Sequence, residues 1–423
     1  MNLAEWLEHQ QRQHPREIAM GLERVAAVAK ALGLRKPAAR VITVAGTNGK
    51  GSTVAFIEAI ARASGAKVGA YTSPHLLRYN ERVRIDGIDA TDAQLIAAFE
   101  RIEAARGDTP LTYFEYGTLA ALLLFSEAGL DLAVLEVGLG GRLDAVNIVD
   151  ADVAVITTVA IDHAELLGAD RETIALEKAG IVRAGKPAVV GELDPPDNLL
   201  RQIDRVGAFA IRAGKQYRFG DRLGGKWFWQ DDTLKLELKK PGLIAPAQTA
   251  NAAAAIAALR AVVPALPLTE DHIASGVAAA TVPGRMQRIG GPIDIVLDVA
   301  HNPQAAQQLA RWLMTHRAAG ATQAVFAALS DKDIPNLVGA LMGQVDVWRL
   351  AGLPDAGGRA QDVDTLSRKV SGLLSRTPSS RHATVAEALD AARRHAHAGD
   401  RIIVFGSFHT VAQALHALNA MPA

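Results

Sequence analysis

Val41-Ile42-Thr43-Val44-Ala45-Gly46-Thr47-Asn48-Gly49-Lys50-Gly51-Ser52-Thr53 joins an apolar run to a glycine-rich loop, and residues 54–63 behind it follow a helical pattern. A short β-branched run bounded by glycine reads as a buried strand, so the stretch is strand, loop, helix. That context suits phosphate: glycines let backbone N–H groups curl around oxygens, the helix N-terminus favours negative charge, and Lys50 adds a cation. The Ser52 and Thr53 hydroxyls would lie near a metal. Gly51 separates Lys50 from Ser52, a departure from the commonest phosphate-loop spacing. The bland alternative is a glycine turn that caps a helix.

Similar apolar runs recur at 133–137, 153–157, 188–190, 293–299, 324–328 and 402–405, each ending in Gly, Asp or polar residues. Between them, 91–105, 117–127 and 249–262 have helix-forming composition, the first opening on a Thr-Asp start signal. This alternation predicts an α/β fold with a mostly parallel sheet and helices on both faces. Around 217–240 the texture changes to alternating and aromatic residues, Trp227-Phe228-Trp229 among them, which predicts a small antiparallel excursion. Thr281-Val282-Pro283-Gly284-Arg285 is a breaker-rich connection before a new strand-led run. We therefore expect two domains: 1–283, holding the phosphate loop, and a smaller Rossmann-like α/β domain over 284–423.

A chain of 423 residues is long enough for two cores, and Lys+Arg (45) balances Asp+Glu (45), so no global field draws nucleic acid or membrane. Neither is expected as a partner. The absence of cysteine excludes disulfides, thiolate catalysis and Cys-bound metals. Met1-Asn2-Leu3-Ala4-Glu5-Trp6-Leu7 is acidic where a leader would be basic, and no apolar run reaches the ~18–20 residues that span a bilayer. The expected location is the cytoplasm.

Several residues carry chemistry on either of two readings. Glu136 ends a strand at the carboxyl edge of the sheet, where open α/β sheets place ligand groups, and reads as a metal ligand or a loop anchor. Asp162-His163 follows the next strand; an isolated histidine is commonly just hydrogen-bonded. Lys178 precedes Ala179-Gly180 and reads as the basic last turn of a helix with glycine at its C-cap. Asp298 ends a strand before His301-Asn302-Pro303, in which Asn302 suits an N-cap and Pro303 the first turn. Arg285 is an ordinary linker charge on its own, and Asn251 an N-cap.

The loop Gly46–Ser52 resembles that of folylpolyglutamate and dihydrofolate synthases, within the Mur-ligase family. Further family-like motifs follow in order: Thr72-Ser73-Pro74-His75-Leu76, Asn80-Glu81-Arg82, Glu136-Val137-Gly138-Leu139-Gly140-Gly141-Arg142-Leu143-Asp144, Asp162-His163, Glu177-Lys178-Ala179-Gly180, Pro283-Gly284-Arg285, Asp298-Val299-Ala300-His301-Asn302-Pro303 and Gly406-Ser407-Phe408-His409. The resemblance covers nearly the whole chain. It implies that ATP is bound by Gly46, Thr47, Asn48, Gly49, Lys50, Gly51, Ser52 and Thr53, with Asn251 near adenine, Arg285 on phosphate, Asp298 on ribose and His301 beside the nucleotide. It implies two Mg²⁺ ions held by Ser73, Glu136 and His163, and a carbamylated Lys178. Lys50, Glu136, His163 and Lys178 would form the catalytic centre.

In the same way His14-Pro15-Arg16-Glu17-Ile18-Ala19-Met20-Gly21-Leu22-Glu23-Arg24 resembles a segment bordering a pterin, with Arg24, Phe114 and Asp144 as substrate contacts. Where the family tends to read Ala-Thr-Asn after that aspartate, this chain has Ala145-Val146-Asn147, which puts one hydroxyl contact in doubt. The implied activity joins glutamate to dihydropteroate and extends reduced folates with further glutamates through an acyl phosphate, in a monomer. A dedicated polyglutamylating enzyme is the alternative. A phosphate-loop kinase or NTPase would share Lys50 and Glu136 but leave Asp298 and His301 unexplained, and no Asn-Lys-x-Asp sequence appears. A cell-wall ligase fits less well, lacking the usual N-terminal domain.

Overall fold

The computed structural model describes residues 1–15, 18–262 and 266–419. Arg16 and Glu17 of the expected pterin-bordering segment thus lie outside the described residues. The chain divides into two units, Met1–Gly242 with Gln248–Thr281, and Leu243–Ala247 with Val282–Ala423.

The first unit is built on eight strands: β1 (Arg40–Ala45), β2 (Val68–Tyr71), β3 (Val83–Ile85), β4 (Ile88–Asp89), β5 (Leu132–Glu136), β6 (Val153–Ile156), β7 (Pro187–Val190) and β8 (Phe209–Arg212). Their order is β4-β3-β2-β5-β1-β6-β7-β8. All neighbours from β2 to β8 run parallel; β3 and β4 form an antiparallel edge. The central strand is decided by burial. Val41, Ile42 and Val44 are completely enclosed, each worth roughly 1.5–3 kcal/mol over an exposed side chain. Helices on both faces follow from this, because a parallel sheet must be covered twice.

Helix Lys50–Ala63 springs directly from the phosphate loop and packs against helices Gln248–Val262 and Glu270–Ala279. Asn251 is therefore not an N-cap as expected: the helix already begins at Gln248, and the Asn251 amide donates to Gln248 Oε1 (3.0 Å) inside its first turn. Helix Asp92–Arg106 starts where the Thr-Asp signal places it, with Thr91 accepting from the Gln94 amide. Helix Tyr113–Ala128 begins four residues before the expected 117, because Thr112 and Glu115 cap it reciprocally.

The expected excursion is a meander of β9 (Arg218–Arg222), β10 (Lys226–Gln230) and β11 (Lys235–Lys239). Trp227 and Trp229 point to its covered face, and the Trp229 indole donates to Ala253 O (3.1 Å), fastening the meander to helix Gln248–Val262.

The second unit has its own sheet of β12 (Gln287–Ile289), β13 (Asp294–Asp298), β14 (Thr322–Phe326), β15 (Val347–Ala351), β16 (Ser379–His382) and β17 (Arg401–Phe405). The order is β12-β13-β17-β14-β15-β16, parallel except for β12. Trp312, Phe326, Trp348 and Phe405 fill its core. This Rossmann-like arrangement agrees with the expectation.

Candidate functional site

The phosphate loop is tied to the strand beside it by hydroxyls. The Thr47 amide donates to Thr158 O (2.8 Å), and Thr47 Oγ1 exchanges hydrogen bonds with the backbone of Ala160 (3.0 Å each way). Thr157 Oγ1 and Thr158 Oγ1 both donate to Asn48 O, at 2.6 and 3.1 Å. Lys50 folds back so that Nζ donates to the Gly46 and Thr47 carbonyls (3.0 and 3.3 Å). Gly49 has φ +87°, and a Cβ there would overlap Asn251 Oδ1; only glycine meets both demands. At the head of the helix, Ser52 accepts from Gln248 Nε2 (3.2 Å), while the enclosed Thr53 Oγ1 has no hydrogen-bond partner among the described residues.

Glu136 ends β5 beside this loop, in register with Val44, and is 4% exposed. Its Oε2 accepts the Ser73 amide (3.1 Å), which brings Ser73 and Glu136 together. Asp162 and His163 lie in the loop after β6. His163 has a left-handed backbone (φ +50°), and its amide donates to Asp162 Oδ1 (2.9 Å).

Lys178 is 3% exposed, at the end of helix Arg171–Ala179. Burial, reinforced by the Lys50 cation and opposed by Asp162 and Asp144, pushes its ammonium down to about 7. Gly180 follows it at the C-cap position, as expected, but with φ −63°. The glycine is needed for a different reason from a left-handed turn: a Cβ would run into the backbone and side chain of Arg142. Across the same seam, Arg142 N donates to Glu177 O (2.8 Å), and Asn147 Nδ2 bridges the carbonyls of Arg142 and Gly180 (3.0 and 3.1 Å).

That seam leads to the expected substrate contacts. Asp144 caps the short turn Ala145–Ile148 and accepts from the amides of Leu139 (2.9 Å) and Val146 (3.1 Å). Burial raises its carboxyl to about 6, against the pull of those amides. Phe114 lies over Gly138, its ring 6.0 Å from that of Tyr71. Gly21 N donates to Leu143 O (3.3 Å), so the N-terminal segment reaches this loop. Arg24 is already committed: it pairs with Glu115 (3.0 Å) and donates to Ala19 O (2.7 Å).

In the second unit Asp298 ends β13, its two oxygens accepting the Met286 and Ala300 amides (2.9 and 2.8 Å). Enclosure raises its carboxyl, with Arg285 as the strongest opposing influence. Arg285 stands over the Phe408 ring (5.4 Å), which is also 6.2 Å from the His301 ring. Asn302 does cap helix Pro303–Thr315. Thus Arg285, Asp298 and His301 gather at one sheet edge around Phe408, a residue quoted in a motif but not marked as part of the site. Thr157 and Thr158 were missed too; their position just past an apolar run was the available signal.

For magnesium, the serine, carboxylate and imidazole at 73, 136 and 163 are a sparse set, and no group of three His, Asp or Glu forms a ready cage among the described residues. Mg²⁺ keeps several waters and shares phosphate oxygens, so a sparse set fits it.

The profile of the Mur ligase middle domain matches residues 44–259, and that of the Mur ligase glutamate ligase domain matches 284–408. The dihydrofolate synthase/folylpolyglutamate synthase of Escherichia coli K12 is 45% identical over 99% of this chain and 96% of its own length. This chain belongs to the dihydrofolate synthase/folylpolyglutamate synthase family of Mur ligases. Among family structures, E. coli FolC in complex with DHPP and ADP superposes with a TM-score of 0.94 at 45% identity, covering 99% of this chain and 98% of that one. A bifunctional folylpolyglutamate synthase/dihydrofolate synthase with Mn, AMPPNP and L-glutamate bound gives 0.91 at 45% identity and the same coverage. The family's members are ATP-dependent amide-forming ligases.

Proposed function

We propose that this chain joins L-glutamate to dihydropteroate and adds further glutamates to reduced folates. The observation that carries the reading is the phosphate loop set beside Glu136 at one sheet edge, in a chain whose full-length relative performs both syntheses. In the proposed reaction the loop amides and Lys50 hold the triphosphate of ATP. Ser73, Glu136 and His163 hold Mg²⁺, two ions in all, which when bound neutralises charge on the phosphoryl group being transferred. The pteroate or folyl carboxylate takes the γ-phosphoryl group and ADP departs. The glutamate amine then attacks the acyl carbon, loses a proton, and the tetrahedral intermediate expels phosphate.

Asp144, Phe114 and Arg24 form the pterin side in this reading, Arg24 by holding Glu115 at the head of helix Tyr113–Ala128. Asn251, Arg285, Asp298 and His301 contribute to the nucleotide. Lys178 is carbamylated: an amine pushed down to about 7 is about half unprotonated at neutral pH, and the free amine can add carbon dioxide and release a proton, leaving an anion attracted to Lys50 where the cation was opposed by it. The protein acts as a monomer in the cytoplasm; no helix among the described residues is long and apolar enough to cross a membrane.

The test is ADP release with ATP, Mg²⁺ and glutamate, run separately on dihydropteroate and tetrahydrofolate, with products identified by mass. Turnover on both is expected. Turnover on tetrahydrofolate alone would leave a dedicated polyglutamylating enzyme, and glutamate-independent hydrolysis an NTPase.

A further inference from the structure

One buried ion pair in the first unit lies outside every role given above. Glu58 sits in helix Lys50–Ala63, about 12 Å along the axis from Lys50, and is 6% exposed. Arg84, on β3 between β2 and the edge strand β4, meets it with Nη2 at 2.8 Å and Nε at 3.1 and 3.3 Å from the two carboxylate oxygens. The remaining arm of the guanidinium turns the other way: Nη1 donates to Thr72 Oγ1 (3.3 Å) and to Glu81 O (3.1 Å). Thr72 is in turn held by its own bonds to the backbone of Glu81 and Arg82.

The next residue is Ser73, whose amide donates to Glu136. The chain from there to β3 is drawn tight by Glu81, whose carboxylate accepts the amides of Leu76, Leu77 and Arg78 at 2.7–2.8 Å. One guanidinium therefore fastens both ends of this segment to the helix that begins at the phosphate loop.

We propose that the Glu58–Arg84 pair is a positioning device that sets Ser73, and through its amide Glu136, against the phosphate loop before metal and nucleotide arrive. This rests on the metal reading of Ser73 and Glu136 given above. Planarity matters here: three nitrogens of Arg84 serve two directions at once, which the point charge of lysine cannot reproduce. The field of Glu136 also reaches Arg84. The competing explanation is that the pair merely stabilises the fold. Replacing both partners of a buried ion pair by apolar residues of similar size commonly leaves stability intact, whereas removing one does not. The informative variant is therefore the double one, Glu58→Leu/Arg84→Met, with Thr72→Val as a milder cut that keeps the pair and its bond to Glu81 O but removes the Thr72 hydroxyl from Arg84.

Two measurements decide the matter: hydrogen exchange of residues 72–82 in the unliganded full chain, and calorimetric affinity for AMPPNP with and without Mn²⁺. The double variant should exchange this segment at least tenfold faster and bind Mn²⁺·AMPPNP at least tenfold more weakly, with metal-free AMPPNP unchanged. Thr72→Val should move both in the same direction by about threefold. Exchange at the wild-type rate in both variants, or equal weakening with and without metal, overturns the proposal. If Glu136→Ala binds Mn²⁺·AMPPNP as tightly as the wild type, it is the metal reading that fails, and exchange of residues 72–82 still decides whether the pair holds the segment.

Discussion

The two sheets each end a parallel strand in a carboxylate, Glu136 on β5 and Asp298 on β13, yet the surroundings differ. Around Glu136 the backbone is braced from outside: hydroxyls of Thr157 and Thr158 hold the loop, Lys50 is folded onto it, and a second lysine is buried close enough to be affected by the first. Around Asp298 the bracing is local. Two amides within a few residues or in the adjoining β12 connection hold the carboxylate, and the cation rests on an aromatic ring. A site that stabilises developing charge gains from fixed dipoles that need not reorganise. A site that only holds a ligand, with no charge developing there, has less need of them. On the reading proposed above, the first edge is the seat of chemistry and the second a supporting contact, and the difference in bracing agrees with that reading.

Truncating the two carboxylates tests that contrast most severely. Glu136→Ala should lower kcat for glutamate-dependent ADP release about 10³-fold, roughly 4 kcal/mol in the barrier. Asp298→Ala should instead raise KM for ATP about tenfold, near 1.4 kcal/mol, with kcat within about threefold. Equal losses of kcat would erase the distinction.

Between these in size stands the pH response of Lys178. Its folded value is lowered, so between about 7 and the ordinary 10.5 the unfolded chain holds a proton that the folded chain lacks. Stability is therefore depressed below that window and rises with pH through it, by up to about 1.4 kcal/mol per pH unit. Protein freed of carbon dioxide should show this slope in denaturant midpoints. Added bicarbonate should abolish it, and Lys178→Met should be flat in both buffers. A slope indifferent to bicarbonate would remove the carbamate.

The smallest effects come from the braces themselves. Thr157→Val and Asn302→Ala should each cost about 1 kcal/mol of stability. Only Thr157→Val should also weaken ATP binding, read as KM; a matching change in Asn302→Ala would mean both edges are braced for the nucleotide.

How much of this the sequence discloses depends on whether a feature is local. The strands carrying Glu136 and Asp298 are apolar runs buried on both faces, and the caps at Thr91 and Asn302 depend on a residue and its third neighbour, so all were legible. Helix Gln248–Val262 begins within one residue of the expected 249, and only the reading of Asn251 as its cap fails, because an alanine-rich first turn carries no residue that marks the boundary. Helix Tyr113–Ala128 was begun late because its opening turn, Tyr113-Phe114-Glu115-Tyr116, reads as an aromatic cluster. Lys178 looks like any lysine at a helix end; its burial is set by a loop some 35 residues earlier in the chain. Glu58 and Arg84 lie 26 residues apart, with the second in a three-residue strand too short to show a period. The candidate ligand groups come from motifs, whereas the groups that hold them in place, such as Thr157, Thr158, Glu58 and Arg84, are long-range and carry no pattern.

The crossing of Gly180 over Arg142 has a consequence for anyone who would reshape the substrate pocket. Gly141 stands equally close on the other side, where a Cβ would come within 2.8 Å of Glu177 O. The loop ending in Asp144 and the end of helix Arg171–Ala179 are thus interlocked at close backbone approaches, with the Asn147 side chain tying the Arg142 and Gly180 carbonyls together. Libraries that vary this loop should leave 141 and 180 untouched, since a change there reaches substrate selection and the lysine together.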